Sequence, residues 1–218
     1  MVEVILPCLD EAAALPWVLG QIALLGPDYV AIVVDNGSCD GSARIAAELG
    51  ATVIEEPRRG YGAACHAGLL AATAPVVAFC DCDASVDPAL LPAMVAALSA
   101  ERPAMVVGQR RPTTFGAWPL HARLANRYLA AKVARSTGVR LRDLGPVRVT
   151  RRVDLLALGV ADRRSGYPLE TVLLAARAGW EVTGADVAYN PRAGRSKVTG
   201  TVRGTMQAVR DMRRVLAA

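Results

Sequence analysis

With 218 residues, of which 53% are hydrophobic, the chain is long enough to enclose a substantial core, and we predict a single domain over residues 1–218. No apolar stretch reaches the roughly 18 residues that a membrane-spanning helix needs. The net charge of +5 comes almost entirely from arginine and favours anionic partners such as diphosphates or lipid headgroups. Aromatic residues make up 5% and are not interleaved with the arginines, which argues against a nucleic-acid partner.

The start of the chain and its cysteines bear on where the protein works. The sequence opens with a strand pattern rather than a basic leader, so we expect a cytoplasmic protein, with peripheral attachment to the inner face of the membrane as a further option. There are five cysteines, without the spacing of a zinc site. This pattern indicates free, mostly buried thiols in a reducing compartment.

The first half of the chain alternates short apolar runs with helical patterns. Strands are predicted at 2–7, 30–34, 52–55, 76–80 and 105–107, and helices at 16–25, 42–49, 61–72 and 88–98. This β-α-β-α order predicts an α/β fold with a mainly parallel sheet and helices on both faces.

The second half has a different character. It is predicted to contain a basic stretch at 109–112, a helix at 119–135, strands at 147–150 and 181–189, a helix at 169–178 and a terminal basic helix at 201–216. In the terminal helix, Val202, Met206, Val209 and Leu216 form an apolar stripe. We expect this stripe to pack on the core, and membrane association is the alternative.

The segment 76–88, VVAFCDCDASVDP, ends an apolar run at two aspartates spaced one residue apart. Because side chains alternate along a strand, Asp81 and Asp83 should leave on the same side, at the carboxyl end of a buried strand where open α/β sheets hold ligands. Two converging carboxylates suit Mg²⁺ or Mn²⁺ bound to the oxygens of a diphosphate. The segment indicates a nucleotide-sugar site, and a solvated turn is the alternative.

Two more turns follow predicted strands. In VVDNGSCDGS, Asp35 can accept a hydrogen bond from a nucleobase, while Asp40 and Ser42 can cap the next helix, and a capped turn over the whole stretch is the alternative. In RRGYGAA, the glycines, Gly62 among them, would let the backbone approach a ligand at a helix N-terminus that attracts anions. Ordinary turn flexibility is the alternative for the glycine signal.

Together these motifs resemble the successive signatures of glycosyltransferase family 2, which has the GT-A fold. The motifs are Pro7 with Asp10-Glu11, then VVDNGSCDGS, PRRGYGAA, and DCD followed by DP, and the runs DLGPVRVTRR, GYPLE and RAGRSKVTGTVRGT extend the resemblance. Within the family, the chain is most similar to the branch of dolichyl-phosphate mannose and glucose synthases. The glutamine usual two positions after the second acid is Ser85 here, and the usual Asn-Glu is Asp10-Glu11.

The resemblance implies a donor half over residues 1–108. In that half, Pro7, Glu11 and Asp35 would hold the nucleoside, Asp81 would face the ribose or the sugar, and Asp83 would bind the metal. A basic loop after the last strand would close on the donor diphosphate as a lid, and a solvated charge cluster is the alternative. The residues proposed for this loop are Arg192, Arg195, Ser196 and Lys197.

The acceptor would bind to residues 109–218. The resemblance places Arg110 near an acceptor phosphate, and Arg123 and Asn126 share a helix face that could reach one anion. A charged, exposed face is the alternative for Arg123. Glu170 matches the position of the catalytic base in the wider family, and Asp143 precedes a Gly-Pro turn with similar standing; Glu170 could instead orient the acceptor or cap its helix. A phosphate acceptor needs little help from a base, because its second pKa is near 6.

These observations predict an inverting, metal-dependent transfer of a hexose from a nucleotide diphosphate sugar, with a polyprenyl phosphate as the expected acceptor. A soluble sugar or small molecule is the alternative acceptor, favoured by Ser85 and by the lack of spanning segments. A sugar nucleotidyltransferase would open with a glycine-rich loop after its first strand, where this chain has PCLDE. A non-catalytic sensor would not need both aspartates and the basic loop.

Overall fold

The computed structural model describes residues 1–192 and 202–217. The strands are β1 (Val2–Cys8), β2 (Tyr29–Asp35), β3 (Thr52–Glu55), β4 (Val76–Phe79), β5 (Ala104–Pro112), β6 (Arg148–Arg151) and β7 (Glu181–Tyr189). The helices are α1 (Leu15–Leu24), α2 (Ser42–Glu48), α3 (Tyr61–Ala71), α4 (Leu91–Ala96), α5 (Leu120–Thr137), α6 (Arg152–Ala157), α7 (Tyr167–Arg177) and α8 (Val202–Ala217), with a 3-10 turn at Pro88–Leu90 before α4.

One sheet contains all the described strands, in the order β3-β2-β1-β4-β6-β5-β7. Strand β6 is antiparallel to its neighbours β4 and β5, whereas the remaining pairs are parallel. The prediction of an α/β fold with a mainly parallel sheet is therefore confirmed. Because β1 lies between β2 and β4, the chain crosses the sheet in opposite directions from β1, and such a switch point leaves a crevice at the carboxyl ends of the strands.

The core lies on both faces of the sheet, as the alternation of strands and helices predicts. Within β1, Ile5 packs towards α3 and α7, whereas Val4 and Leu6 pack towards α1 and α4 on the other face. Side chains alternate along a strand, so one buried strand contributes to both layers. All the cysteines are free, and each except Cys39 is buried.

Three elements differ from the sequence predictions. Strand β5 continues through the basic stretch at 109–112, beyond the predicted strand at 105–107, because its residues pair with β7 in register from Ala104 opposite Glu181 to Pro112 opposite Tyr189. Helix α6 was not predicted, since six residues are too few to show a helical period. Helix α7 starts two residues earlier than predicted, with Pro168 in its first turn, where proline is tolerated.

The apolar stripe predicted for the terminal helix is only partly correct. Met206 and Val209 are exposed, and the buried positions among the side chains of α8 that the structure describes are Ala208, Asp211 and Val215. The helix packs against α7 through this second face. None of the helices in the described part of the chain is long and apolar enough to cross a membrane.

Gly68 provides a test of how closely α3 packs on the sheet. A Cβ there would collide with Cγ2 of Ile5 and would lie 3.0 Å from Cγ2 of Val34. We expect Gly68→Ala to lower the free energy of unfolding by about 1–3 kcal/mol. Gly20 is the matched control, because a Cβ at this position of α1 meets nothing within 4 Å and alanine favours a helix by up to about 1 kcal/mol. Urea unfolding should therefore shift in opposite directions for the two variants, and equal shifts would contradict this packing.

Candidate active site

The residues predicted to bind the donor meet at one edge of the sheet. Cys8 at the end of β1 pairs with Asp35 at the end of β2, and Ile5 pairs with Phe79, where β4 ends. Asp81 and Asp83 follow β4 directly at this edge. The parallel arrangement of the three strands is what brings these distant segments together.

Asp83 is buried, with 5% of its surface exposed. Its carboxylate accepts a hydrogen bond from the backbone N–H of Ser85 at 3.0 Å and forms an ion pair with Arg192 at 3.1 Å. Between them, Ala84 has a φ of +59°, a left-handed conformation that a non-glycine residue rarely adopts. The turn therefore holds Asp83 at the cost of backbone strain, a combination that is common at functional sites.

Asp81 lies in a less favourable environment for a charge. Burial, together with the nearby charge of Asp83, raises the pKa of Asp81 to about 6, although the positive charges of Arg192 and Arg110 act against this shift. The hydroxyl of Tyr61 donates a hydrogen bond to the Asp81 carboxylate at 3.3 Å. Two carboxylates that raise each other's energy in this way form an environment that favours a bound cation.

The side chains around Asp83 fit a hard divalent cation. The hydroxyl of Ser85 is fully buried and has no hydrogen-bond partner in the described part of the chain, so its oxygen fits a ligand from outside that part. The described residues include no group of three or more His, Cys, Asp or Glu that could enclose a metal. A cation held by Asp81 and Asp83 would therefore depend on water and ligand oxygens to complete its shell, which is how Mg²⁺ usually binds nucleotides.

The loops after β1 and β2 are joined by hydrogen bonds. The carboxylate of Asp40 accepts from the N–H of Ala12, the backbone N–H of Asp10 donates to the Ser38 hydroxyl, and that of Glu11 donates to the Ser42 hydroxyl, each at 2.9 Å. Asp40 also accepts from the N–H of Ser42 at 3.0 Å, as expected of a capping residue, although the residue that caps α2 is Gly41. The two loops thus form one wall of the crevice.

Asp35 and Pro7 lie at the base of the crevice, below these two loops. The Asp35 carboxylate accepts from the N–H groups of Gly37 and Ser38 at 3.2–3.3 Å, so it closes its own turn. The carbonyl of Pro7 accepts a hydrogen bond from the Cys82 thiol at 3.0 Å, which fastens the aspartate segment to β1. Both residues lie where a nucleoside could bind, and their contact with one stays a prediction.

Gly62 serves the packing of the chain itself. Its N–H donates to the Arg164 carbonyl at 3.0 Å, and a Cβ would lie only 2.7 Å from Cβ of Tyr167 and 2.8 Å from the Arg163 carbonyl carbon. The missing side chain therefore lets the segment before α7 approach α3. Glu170 orders the same segment, because its carboxylate accepts from the N–H groups of Ala161 and Asp162. Direct roles for Gly62 and Glu170 in binding or catalysis stay predictions.

Asp143 forms a buried ion pair with Arg110. Its carboxylate accepts from Nε of Arg110 at 2.9 Å, from Nη2 at 2.8 Å and from the backbone N–H at 2.8 Å. The guanidinium carbon lies 3.9 Å from the centre of the Trp118 ring, so Arg110 is held on two sides. Because the charge of Arg110 lowers the pKa of Asp81, the ion pair lies within electrostatic reach of the carboxylate pair.

Beside this ion pair is a cavity of about 460 Å³ between the end of β5 and helix α5. Its lining includes the apolar residues Trp118 and Leu141. Among the described residues that line it, one is acidic, Asp143. The cavity is otherwise strongly basic, because its lining contains Arg110, Arg111, Arg123, Arg127, Arg140 and Arg142. We call it the arginine cavity. Such a cavity attracts an anion with several oxygens.

The predicted acceptor residues divide between two tasks. Arg110 and Arg123 line the arginine cavity. The side chain of Asn126 accepts a hydrogen bond from the N–H of Leu144 at 2.9 Å and so anchors the loop that carries Asp143. Of the predicted lid residues, Arg192 contacts Asp83, and the other three lie outside the described residues: Arg195, Ser196 and Lys197.

Several residues of the site were missed from the sequence. Tyr61 was read only as part of a glycine turn, although it reaches Asp81. Arg148 is 2% exposed and donates a hydrogen bond to the Gly145 carbonyl at 2.8 Å. Its guanidinium interacts with the charge of Asp81, and burial lowers the pKa of Arg148. Arg127 and Arg140 join the cavity from distant positions. The available signal was the run from 109 to 142, which contains many arginines and no acidic residue.

Comparison with known proteins agrees with the resemblance seen in the motifs. The model of glycosyl transferase family 2 matches residues 3–154. An uncharacterized glycosyltransferase of Mycobacterium tuberculosis is 47% identical over 217 residues, which are 99% of this chain and 98% of that protein. The dolichyl-phosphate hexose transferase of Haloferax volcanii is 27% identical over 195 residues, 89% of this chain and 85% of that one.

Among solved structures, glucosyl-3-phosphoglycerate synthase from Mycobacterium tuberculosis, in complex with Mn²⁺, UDP and glucosyl-3-phosphoglycerate, has a similar fold. Its TM-score is 0.77 at 22% identity, over 100% of this chain and 80% of that one. The fold and the crevice at the strand ends therefore define a GT-A protein, as predicted. The chain belongs to glycosyltransferase family 2, and it is an enzyme of the glycosyltransferase class.

Proposed function

We propose that this glycosyltransferase moves a hexose, with inversion, from a nucleoside diphosphate sugar to an acceptor that carries a phosphate group. The observation that carries this proposal is the arginine cavity, which contains Arg110, whose charge also acts on Asp81. A neutral sugar would gain little from Arg123, Arg127 and Arg140, the cavity arginines outside the ion pairs with Asp143 and Asp186, whereas a phosphate forms bidentate hydrogen bonds with such groups. The donor would bind in the crevice at the ends of β1, β2 and β4.

The cofactor of this reaction is a divalent cation, Mg²⁺ or Mn²⁺, with Asp83 and Asp81 as its protein ligands. When bound, such a cation draws negative charge from the leaving diphosphate as a Lewis acid. With a cation bound, Asp83 would hold it in place of the ion pair with Arg192, and the Arg192 guanidinium would then be free for the diphosphate. Arg192 would act there with Arg195 and Lys197, as the predicted lid.

The bond changes need no strong base. An oxygen of the acceptor phosphate attacks the anomeric carbon, the new carbon–oxygen bond forms on the opposite face, and the bond to the diphosphate breaks with its electron pair on the leaving oxygen. A phosphate is already largely anionic at neutral pH, because its second pKa is near 6. The role left for Arg110 and Arg123 is to hold that phosphate in line with the anomeric carbon.

The similar proteins support the shared chemistry of the acceptor and leave its source open. One relative is named for dolichyl phosphate, and the solved structure contains a glycosylated phosphoglycerate. Both compounds, the dolichyl phosphate in the first name and the phosphoglycerate in the second, carry a phosphate group. A polyprenyl phosphate and a soluble phosphate ester would both satisfy the arginine cavity, so the test has to include both.

Removal of two arginines from the cavity tests the acceptor assignment. We expect Arg123→Gln with Arg127→Gln to raise the KM for a phosphate acceptor about tenfold or more, because each charged hydrogen bond contributes about 1.5–3 kcal/mol. Release of nucleoside diphosphate from the donor alone should be unchanged. The measurement uses UDP-, GDP- and TDP-hexoses with Mn²⁺, and offers either a short polyprenyl phosphate or phosphoglycerate as acceptor.

The matched control removes two exposed arginines elsewhere, with Arg44→Gln and Arg177→Gln, and should leave the acceptor KM unchanged. Transfer to a sugar without phosphate, at a rate that the cavity variant does not alter, would overturn the proposal. Formation of a nucleotide sugar from a sugar phosphate and a nucleoside triphosphate would instead identify a nucleotidyltransferase.

A further inference from the structure

Helix α5 and the loop before it carry a line of exposed apolar side chains at the edge of the arginine cavity. Phe115 is fully exposed, and Leu120, Leu124 and Tyr128 are 68%, 58% and 59% exposed. The last three are spaced by four residues, so they lie on one side of α5. We call these four residues the α5 surface. The opposite side of the helix packs against the core, where Leu129 and Val133 are buried.

The charged side chains of α5 itself are all basic, although two acidic residues of other segments, Asp143 and Asp186, pair with Arg110, Arg111 and Arg142 beside it. Residues 109–142 include no aspartate or glutamate. Arg123 and Arg127 lie between the apolar line and the cavity, and Lys132 lies 5.7 Å from the ring of Tyr128 on the helix itself. The full set of cations in this segment is Arg110, Arg111, Arg123, Arg127, Lys132, Arg135, Arg140 and Arg142.

We propose that the α5 surface docks the protein onto an anionic membrane. Apolar side chains flanked by arginine and lysine are the features by which an amphipathic helix lies in the headgroup region, where the apolar groups insert and the cations bind lipid phosphates. A second copy of this chain fits poorly as the partner, because it would bring the basic side chains of two α5 helices together, and α5 contains no acidic residue to offset them. Charge complementarity therefore selects an anionic lipid surface.

This inference rests on the proposed function in one respect, because it names a lipid as the source of the acceptor phosphate. Arg123 and Arg127 belong both to the border of the α5 surface and to the lining of the cavity. A phosphate at the level of the lipid headgroups would thus be next to the cavity once the surface is docked. It places the membrane contact on α5, whereas the sequence pattern indicated such a contact only as the alternative for the terminal helix.

The experiment is co-sedimentation of the full chain with vesicles of phosphatidylcholine alone, or with about one third phosphatidylglycerol. We expect binding to the anionic vesicles, weaker binding to the neutral ones, and loss of binding in high salt. The triple variant Phe115→Ser, Leu120→Ser, Leu124→Ser should bind the anionic vesicles at least about tenfold more weakly, because the inserted apolar groups are gone. The matched control removes three exposed apolar residues elsewhere: Leu24→Ser, Leu70→Ser and Val153→Ser.

Equal binding by the two triple variants, or no binding of the unaltered chain to anionic vesicles, would overturn the docking proposal. A dimer in solution that the first triple variant converts to a monomer would assign the surface to a second copy instead. Release of nucleoside diphosphate from the donor, measured in vesicle-free solution, tests the proposed sugar transfer separately from membrane docking. The α5 surface does not take part in that step. Vesicle binding without transfer to any phosphate would leave docking intact and refute the proposed acceptor.

Discussion

Replacement of Asp83 by asparagine should lower the rate of sugar transfer by at least about a thousandfold, while the protein stays folded. Asparagine has the same shape and can still accept the hydrogen bond that the Ser85 N–H donates to Asp83 at 3.0 Å. What it loses is the negative charge that would hold the cation beside the leaving diphosphate. A cation that loses one of its two protein carboxylates would bind weakly and would stabilise the leaving charge poorly.

The stability of the Asp83→Asn variant should change little, because two effects oppose each other. The ion pair with Arg192 at 3.1 Å is lost, but the repulsion that raises the pKa of Asp81 is lost as well. Thermal unfolding without metal therefore separates a folding defect from a catalytic one. Asp28→Asn is the control, since Asp28 is exposed and remote from the crevice. Full activity of the Asp83 variant at saturating donor would refute the metal role of this residue.

Asp143→Ala should lower the free energy of unfolding by about 3 kcal/mol. The substitution would leave Arg110, whose side chain is only 14% exposed, without the carboxylate that accepts its Nε–H and Nη2–H. It would also free the backbone N–H of Arg110. An unpaired, mostly buried charge is costly, because the small exposure of Arg110 at the cavity lets water replace the carboxylate only in part.

Asp186→Ala is the matched control for this effect. Asp186 also joins two arginines, Arg111 and Arg142, but the side chains in these pairs are at least half exposed, so water can replace the lost carboxylate. Its urea midpoint should stay close to that of the unaltered chain. Comparable decreases of the urea midpoint in the two variants would show that the Arg110–Asp143 pair contributes no more to stability than the exposed pairs of Asp186. If the Asp143 variant kept its stability and lost only its activity, the result would favour the catalytic role first predicted for Asp143.

The features that the sequence predicts well are those with a local cause. The alternation of apolar runs and helical patterns predicted the α/β class, and the pair Asp81 and Asp83 at a strand end predicted the centre of the site. Side-chain alternation and capping act over a few residues, so a linear pattern contains them. The family motifs added what spacing alone does not contain, which is the class of reaction.

Other features depend on contacts between distant segments, and a single sequence contains little information about them. The glycine signal at Gly62 was interpreted as a place for a ligand, whereas in the structure the segment before α7 approaches it. Asp143 was predicted from its Gly-Pro turn alone, and its pairing with Arg110 is formed only because the loop after α5 returns to β5. In the same way, Tyr61 of α3 donates a hydrogen bond to Asp81, and Arg148 of β6 interacts with the charge of Asp81.

The sequence by itself determined the layered α/β architecture, the position of the carboxylate pair and the excess of arginine, because these follow from periodicity and composition. The tertiary structure alone decided that six arginines surround one cavity and that the apolar residues of α5 are exposed beside it. Burial and proximity are properties of the packed chain, since they depend on which segments the sheet order brings together.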